Sequence, residues 1–418
     1  MSIFKNKTNI KVNVSSEIGR LNAVLLHRPG VEIERMTPLN AHEALYSDIL
    51  NKNIVDNEYR YFCGVFERIT KVFYVSDLLE ELLEDDDLCN SLVTQSCAAE
   101  GCEYLVDELM QHSPKDIAKE LIEGFPYRKG KDPERYAERR YVLRPLYNLF
   151  FTRDASSSVY DRVLINSMSF DVRKRENLIY KAIFKHYFGC EVINAQEWNS
   201  KAHTEGGDVQ IGRSDLLCIG EGIRTDAKGI EFLAHTFSNR PKFNIIVQQL
   251  PHQPDSFIHL DMVYTFLDRD RCMMYEPMLR KTAEFAGKAT TWIEIDGGKV
   301  KYHDCKNMLE ALKHVGFDME PVFCGGDDLW VQQREQWHSG ANFFALAPGK
   351  VIGYRRNSHT IDALDKAGFA VLNAEDVAEG RTNIDDYNRC VVTFAASELP
   401  RAGGGARCMT MPINRDNI

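Results

Sequence analysis

The sequence lacks the long apolar runs, paired cysteines and metal-ligand spacings that mark several large protein classes. Nowhere in its 418 residues do about 18 apolar residues follow one another, the length a membrane-spanning helix needs. The opening stretch, MSIFKNKTNIKVNVSSEIG, has no apolar segment of the signal-peptide kind, so a cytoplasmic location is the expectation. Its eleven cysteines form no C-x-x-C pair and keep no regular spacing, which reads as reduced thiols and not as a disulfide framework. H-E-x-x-H and zinc-type Cys/His spacings are missing, so a metal is not expected. The chain also has no G-x-x-x-x-G-K-[ST] and no G-x-S-x-G, which removes support for a phosphate loop and for a serine nucleophile elbow. Basic charge is short as well. With 51 Lys and Arg against 61 Asp and Glu the net charge is -10, which argues against a general binder of nucleic acid or anionic membrane.

What is present is an ordinary globular composition, 44% hydrophobic and 27% charged, on a chain long enough for one large domain or two smaller ones. A local pattern recurs along it. Residues 21–30, LNAVLLHRPG, read as a buried strand closed by a Pro-Gly turn. Residues 161–184 read as strand, turn and amphipathic helix, and 207–234 as strand, hairpin, strand and helix. Two apolar strands flank Asp268-Arg269-Asp270 within 261–281, and 341–367 read as strand, Pro-Gly hairpin, strand and helix. Such units bury their faces only against neighbours, which predicts radial or stacked repetition; an alternating α/β domain is the other reading at this point. From 75 to 145 the strands stop. Leu and Val fall at helical spacing, with Ser76 and Ser113 as candidate N-caps and Pro114 in a first turn. The acidic run Glu84-Asp85-Asp86-Asp87 lacks the Gly and the alternating ligands of a calcium loop and reads as solvated surface. The expectation is one domain over 1–418 with an all-helical insertion at 75–145.

Four polar clusters stand out. Near the C-terminus, Arg401-Ala402-Gly403-Gly404-Gly405-Ala406-Arg407-Cys408 places a thiol after a glycine run and a cation that favours thiolate. Asn148-Leu149-Phe150-Phe151-Thr152-Arg153-Asp154 sets a carboxylate beside phenylalanines. Glu205-Gly206-Gly207-Asp208 lets the backbone turn sharply between two acids. In Phe257–Tyr264, read as a strand, His259 and Asp261 share one face while Ile258, Leu260 and Met262 share the other. A His and an Asp in an apolar strand need partners. Arg173-Lys174-Arg175 and Arg224 add guanidiniums in loops that follow strands. Taken singly, each cluster is equally a turn, a surface ion pair or solvating charge.

Together they point to a cationic substrate. Carboxylates around a thiol oppose anionic groups and suit a guanidinium, which is planar, pairs bidentately with carboxylates and has an electrophilic central carbon. Arginines would hold a carboxylate at the other end. A molecule with both ends is arginine.

In their order, F-T-R-D, E-G-G-D, H-L-D and the terminal G-G-x-x-C-M resemble the arginine deiminase family of guanidino-modifying enzymes, over nearly the full chain. The helical stretch at 75–145 is similar to that family's insertion. The resemblance implies a five-bladed α/β-propeller of pseudo-fivefold ββαβ repeats. It implies hydrolysis of L-arginine to L-citrulline and ammonia, the first step of arginine catabolism by the deiminase pathway, through an S-alkylthiouronium on Cys408. In that reading His259 moves protons, Asp154 and Asp261 hold the guanidinium, and Glu205 accepts from it and supports His259. Arg173, preferred over Arg175, and Arg224 grip the α-carboxylate. Asn148, Phe151, Arg401, Gly403 and Arg407 complete the substrate site. Relatives often carry an arginine where Gly403 stands here, which leaves Arg401 and Arg407 as the two candidates for the missing charge. No metal or organic cofactor is implied, and a homo-oligomer is left open. Alternatives are an agmatine deiminase, a methylarginine hydrolase, an amidinotransferase, or a catalytically silent propeller serving as an interaction protein.

Overall fold

Short apolar stretches, each closed by a tight turn, fold here into five small sheets of one kind. The computed structural model describes residues 8–127 and 140–418. In four of the sheets an antiparallel pair comes first, and a parallel strand joins after a helical segment. The pairs are Ser156–Val159 with Arg162–Ile165, Val209–Arg213 with Leu216–Glu221, Tyr264–Phe266 with Arg271–Met274, and Phe344–Ala347 with Lys350–Tyr354. The parallel strands are Glu191–Ile193, Lys242–Gln249, Glu320–Phe323 and Cys390–Phe394. The fifth sheet draws on both ends of the chain. Leu21–Leu26 runs parallel to Lys71–Tyr74 and antiparallel to the C-terminal Met411–Arg415.

The turns follow from their residues. Gly349 lies in the left-handed region (φ 73), as the two-residue Pro-Gly link between Phe344–Ala347 and Lys350–Tyr354 requires. Two sheets depart from the common plan. The hairpin Thr290–Asp296 and Lys299–Cys305 widens one sheet to five strands, and Ala370–Asn373 adds an outer strand to another. The fold is mixed α/β, with apolar faces of sheets and helices buried in continuous clusters between units. Among the described residues no helix is long and apolar enough to cross a membrane.

The segment 75–145 is mainly helical, with Val75–Leu82, Asp86–Glu100 and Pro114–Glu123 packing on a shared apolar core. Three details differ from the sequence reading. Phe125–Pro126 pairs with Tyr141–Leu143, so the segment is not free of strands. Ser76 is no cap, because the first helix starts at Val75 directly from a strand, whereas Ser113 does accept from Asp116 N–H and Pro114 opens its helix. Asp85 leaves the acidic run to cap Asp86–Glu100. The part of the predicted helical stretch at 128–139 lies outside the described residues.

Candidate active site

Each first strand of the five units is approached through a tight turn, and these turns carry the polar residues. The short helix Thr152–Ala155 precedes Ser156–Val159 and carries Asp154. Gly206–Asp208 precedes Val209–Arg213, with Glu205 at its start. Leu260–Met262 precedes Tyr264–Phe266 and brings His259 and Asp261. The predicted strand over Phe257–Tyr264 is therefore wrong: His259 is the residue before a 3₁₀ turn and Asp261 lies within it. Both side chains still converge, because the turn and not strand alternation aims them. Asn342 sits two residues before Phe344, and Cys408 three before Met411. The turns touch in a circuit. Those of Asp154 and Asp208 pack together, as do those of Asp208 and Asp261. Asn342 Nδ2 donates to Asp261 O at 3.1 Å and lies 3.2 Å from Cys408 Sγ, while Arg153 N donates to Cys408 O at 3.1 Å.

The reactive groups are almost dry; Cys408 is 2% exposed and Glu205 0%. Asp261 Oδ2 lies 3.7 Å from Cys408 Sγ. Burial first, then the charges of Asp261 and Asp154, push the thiol well above its ordinary pKa, so it rests as neutral thiol. His259 Nε2 donates to Glu205 Oε2 at 2.9 Å, and its Nδ1 lies 3.8 Å from Asp154 Oδ1. Burial opposes its charge, but Asp154, the bond to Glu205 and Asp208 outweigh it and raise its pKa to about 9. Glu205 is held at about 2: its burial is outweighed by Arg224, then by His259. Asp208, buried, is pushed up to about 7; its Oδ1 accepts from Leu260 N–H at 2.9 Å and steadies the next turn. Asp154 Oδ1 and His259 Nδ1 are buried without a hydrogen-bond partner. Such groups leave hydrogen-bonding capacity for a polar ligand that reaches both from one side.

Glycines set the clearances. A Cβ on Gly207 would lie 2.4 Å from His259 Nδ1, and one on Gly404 2.3 Å from the Phe151 ring.

The predicted substrate clamps already have carboxylate partners. Arg173 forks onto Glu176 at 2.8 Å and reaches Asp154 at 2.6 Å, and Arg224 pairs with Glu205 at 3.0 Å. Arg175 points elsewhere, to Glu100 and to the backbone carbonyls of Leu121 and Arg144, which settles it as a tie to the helical segment. Arg407 is fully buried on the thiol side. It forks onto Glu17 at 3.0 Å and bonds Asp261 at 2.8 Å, so it holds the carboxylate beside the thiol. Arg401 does not join the site; it is half exposed and pairs with Asp48 at 2.8 Å. Gly403, at φ 87, turns the loop where an arginine would otherwise project. Asn148 donates to Ala44 O and its own carbonyl accepts from Arg173, as does that of Phe151.

Glu17, Glu176 and Asn342 were missed. Glu17 has no motif around it; its burial opposes ionisation, but the charges of Arg407 and Arg153 outweigh that and hold it at about 2. Glu176 follows Arg173 by three residues, an i,i+3 pairing the sequence does display. Among the described residues no cluster of His, Cys, Asp or Glu is arranged to hold a metal ion.

Comparison with known proteins finds relatives over almost the whole chain. The family model for arginine deiminase matches residues 42–415. The arginine deiminase of Listeria innocua is 31% identical over 429 residues, covering 97% of this chain and 99% of that one. That of Mycoplasma capricolum is 33% identical over 422 residues, covering 98% of each. Among solved structures, the N-terminal domain of ArgZ, an arginine dihydrolase from cyanobacteria bound to product, aligns with a TM-score of 0.51 at 12% identity, over 94% of this chain and 97% of that one. An amidinotransferase from Microseira wollei aligns with a TM-score of 0.53 at 14% identity, over 97% and 98%. Identities this low carry the fold alone.

Proposed function

The chain belongs to the arginine deiminase family, and from that premise we propose how its residues hydrolyse L-arginine to L-citrulline and ammonia. The observation that carries the reading is the convergence of Cys408, His259 and the carboxylates of Asp154, Glu205 and Asp261 in one dry centre. Asp154 and Asp261 receive the guanidinium nitrogens. The substrate's carboxylate takes up Arg224 and Arg173 as its guanidinium engages their present carboxylate partners, so internal ion pairs are exchanged for pairs with substrate.

The incoming cation offsets the charge of Asp261 and Asp154 on the thiol, whose proton is released to solvent. Sulfur then bonds the guanidinium carbon, and the adduct is tetrahedral. His259 protonates the departing nitrogen, the C–N bond breaks and ammonia leaves, with an S-alkylthiouronium on Cys408. Neutral His259 next takes a proton from water, whose oxygen attacks the same carbon. The C–S bond breaks with its electrons on sulfur, and the hydroxyl proton passes to that sulfur as the urea carbonyl of citrulline forms, which restores the neutral thiol. Glu205 holds His259 charged for the first proton transfer.

A five-bladed α/β-propeller over a single domain belongs to the same reading. The circuit of five turns and the pairing of the first and last strands in one sheet support it. A cytoplasmic location fits the reduced cysteines.

The test is turnover of L-arginine beside agmatine, which lacks the carboxylate. Citrulline and ammonia in equal amounts are expected, with kcat/KM for agmatine lower by at least about a hundredfold because both clamps lose their ligand. A ratio within about tenfold would remove the carboxylate clamps.

A further inference from the structure

Four of the five turns supply residues of the proposed mechanism; the fifth supplies Asn342, to which no role has been given. Its side chain is buried, 1% exposed, and lies against the nucleophile. Nδ2 is 3.2 Å from Cys408 Sγ. The amide orientation is fixed by its neighbours. Oδ1 accepts from Arg407 N–H at 2.8 Å and Cys408 N–H at 3.3 Å, and Nδ2 donates to Asp261 O at 3.1 Å. The flipped amide would set Oδ1 against a carbonyl oxygen and NH₂ against two N–H groups. One N–H of the amide is thereby left for sulfur, with Met262 Sδ at 3.7 Å as a weaker acceptor.

We propose that Asn342 is a catalytic residue that donates a hydrogen bond to the Cys408 thiolate while anchoring the loop that carries it. The inference rests on Cys408 as the nucleophile.

The surroundings give this bond its importance. Asp261 at 3.7 Å and Asp154 face the thiol and oppose its ionisation, Tyr354 stands nearby as a neutral phenol that donates to Gly404 O, and His259 lies on the Glu205 side. Arg407 favours thiolate, but its guanidinium is spent on Glu17 and Asp261. An amide donor carries no net charge, so it stabilises developing thiolate without repelling the incoming guanidinium. A cation in its place would do both. The same bond is available each time sulfur regains its charge, including its departure from the second adduct. Gly405 fits this role, because a Cβ there would lie 2.6 Å from Asn342 Cβ and push the amide away.

The test uses the full-length protein and needs no substrate for its main readout. Alkylation of Cys408 by iodoacetamide is followed against pH, with peptide-resolved mass spectrometry to separate it from the ten other cysteines. Asn342→Ala removes the amide, whereas Asn342→Asp keeps an oxygen to accept from the two backbone N–H groups and loses the neutral donor. A change in access alters the height of the profile but not its midpoint. Both variants should shift the midpoint upward by about one to two pH units, the size of a hydrogen bond to a charged group. Arginine turnover should fall about ten- to a hundredfold in kcat, with KM changed less than about threefold. Midpoints within about 0.3 unit of wild type would overturn the proposal even if kcat fell, leaving Asn342 a structural anchor. A wild-type protein that alkylates as expected but releases no citrulline would defeat the functional reading and leave the donor role standing.

Discussion

Two arginines two residues apart divide the molecule into regions held together differently. Arg175 serves the helical segment, where its guanidinium is consumed by Glu100 and backbone carbonyls and apolar side chains surround it. Arg173 serves the catalytic centre, where it bridges Asp154 and Glu176 and where buried polar atoms remain without partners. Among the described residues the helical segment has no buried side-chain polar atom without a partner. The centre crowds carboxylates that Arg173, Arg224 and Arg407 pair, and still leaves Asp154 Oδ1 and His259 Nδ1 without a hydrogen-bond partner. Buried charge in the first place ties elements together, and in the second it shifts the protonation of the thiol and the imidazole.

The largest effect that sharpens this contrast is at the nucleophile. Cys408→Ser should abolish citrulline formation, by about ten-thousandfold or more in kcat, because a hydroxyl supplies almost no anion at neutral pH. Its circular dichroism spectrum and melting temperature should stay at wild-type values, since burial of a slightly smaller neutral group disturbs little. Substantial turnover by the folded variant would break the covalent mechanism.

Next come the two arginines themselves. Arg173→Lys keeps the charge but loses the fork, and should raise KM for arginine about tenfold or more. Arg175→Ala should lower stability by about 3 kcal/mol in urea titration, with KM for arginine in the folded fraction within about twofold of wild type. Equal KM effects at both positions would erase the distinction between the regions.

The smallest effect is in pH. His259, raised to about 9 by Asp154 and Glu205 against its burial, must be imidazolium to protonate the leaving nitrogen. A raised histidine pKa keeps the charged form below that value and loses it as pH climbs through it. In the substrate complex the guanidinium lowers it, so kcat should fall on the alkaline side with a midpoint at or below about 9. Glu205→Gln removes the charged acceptor and should move that limb about one unit lower. A limb that stays in place would detach Glu205 from His259.

The contrast also explains what could be read in the sequence. The helical segment was legible because periodic Leu and Val and the Ser113-Pro114 start report local structure directly. Ser76 misled because Val75–Leu82 continues straight from the strand Lys71–Tyr74 and leaves no room for a cap. In the centre, Asp154, Glu205, His259, Asp261 and Cys408 stood out because polar residues interrupt apolar or glycine-rich runs. The His259–Asp261 alternation imitated a strand, although a 3₁₀ turn aims both. Asn342, between Ala341 and Phe343, had no such marker; its position before the strand of the fifth unit is the signal, and that needs the repeat to be aligned first. Arg407 was a candidate for the charge absent at Gly403, but Glu17, distant in sequence, and Asp261 hold its guanidinium on the thiol side. Partners nearly four hundred positions apart leave no trace in local pattern.

The central claim is covalent chemistry at one sulfur. Acid quenching during turnover of arginine labelled at the guanidino carbon, followed by peptide mass spectrometry, tests it directly. A labelled adduct is expected on the peptide containing Cys408, with the mass of arginine less ammonia, appearing during turnover and disappearing once arginine is exhausted. A labelled adduct on another cysteine, or steady turnover in which Cys408 stays unmodified while the His259→Ala protein also fails to accumulate the adduct, would contradict it.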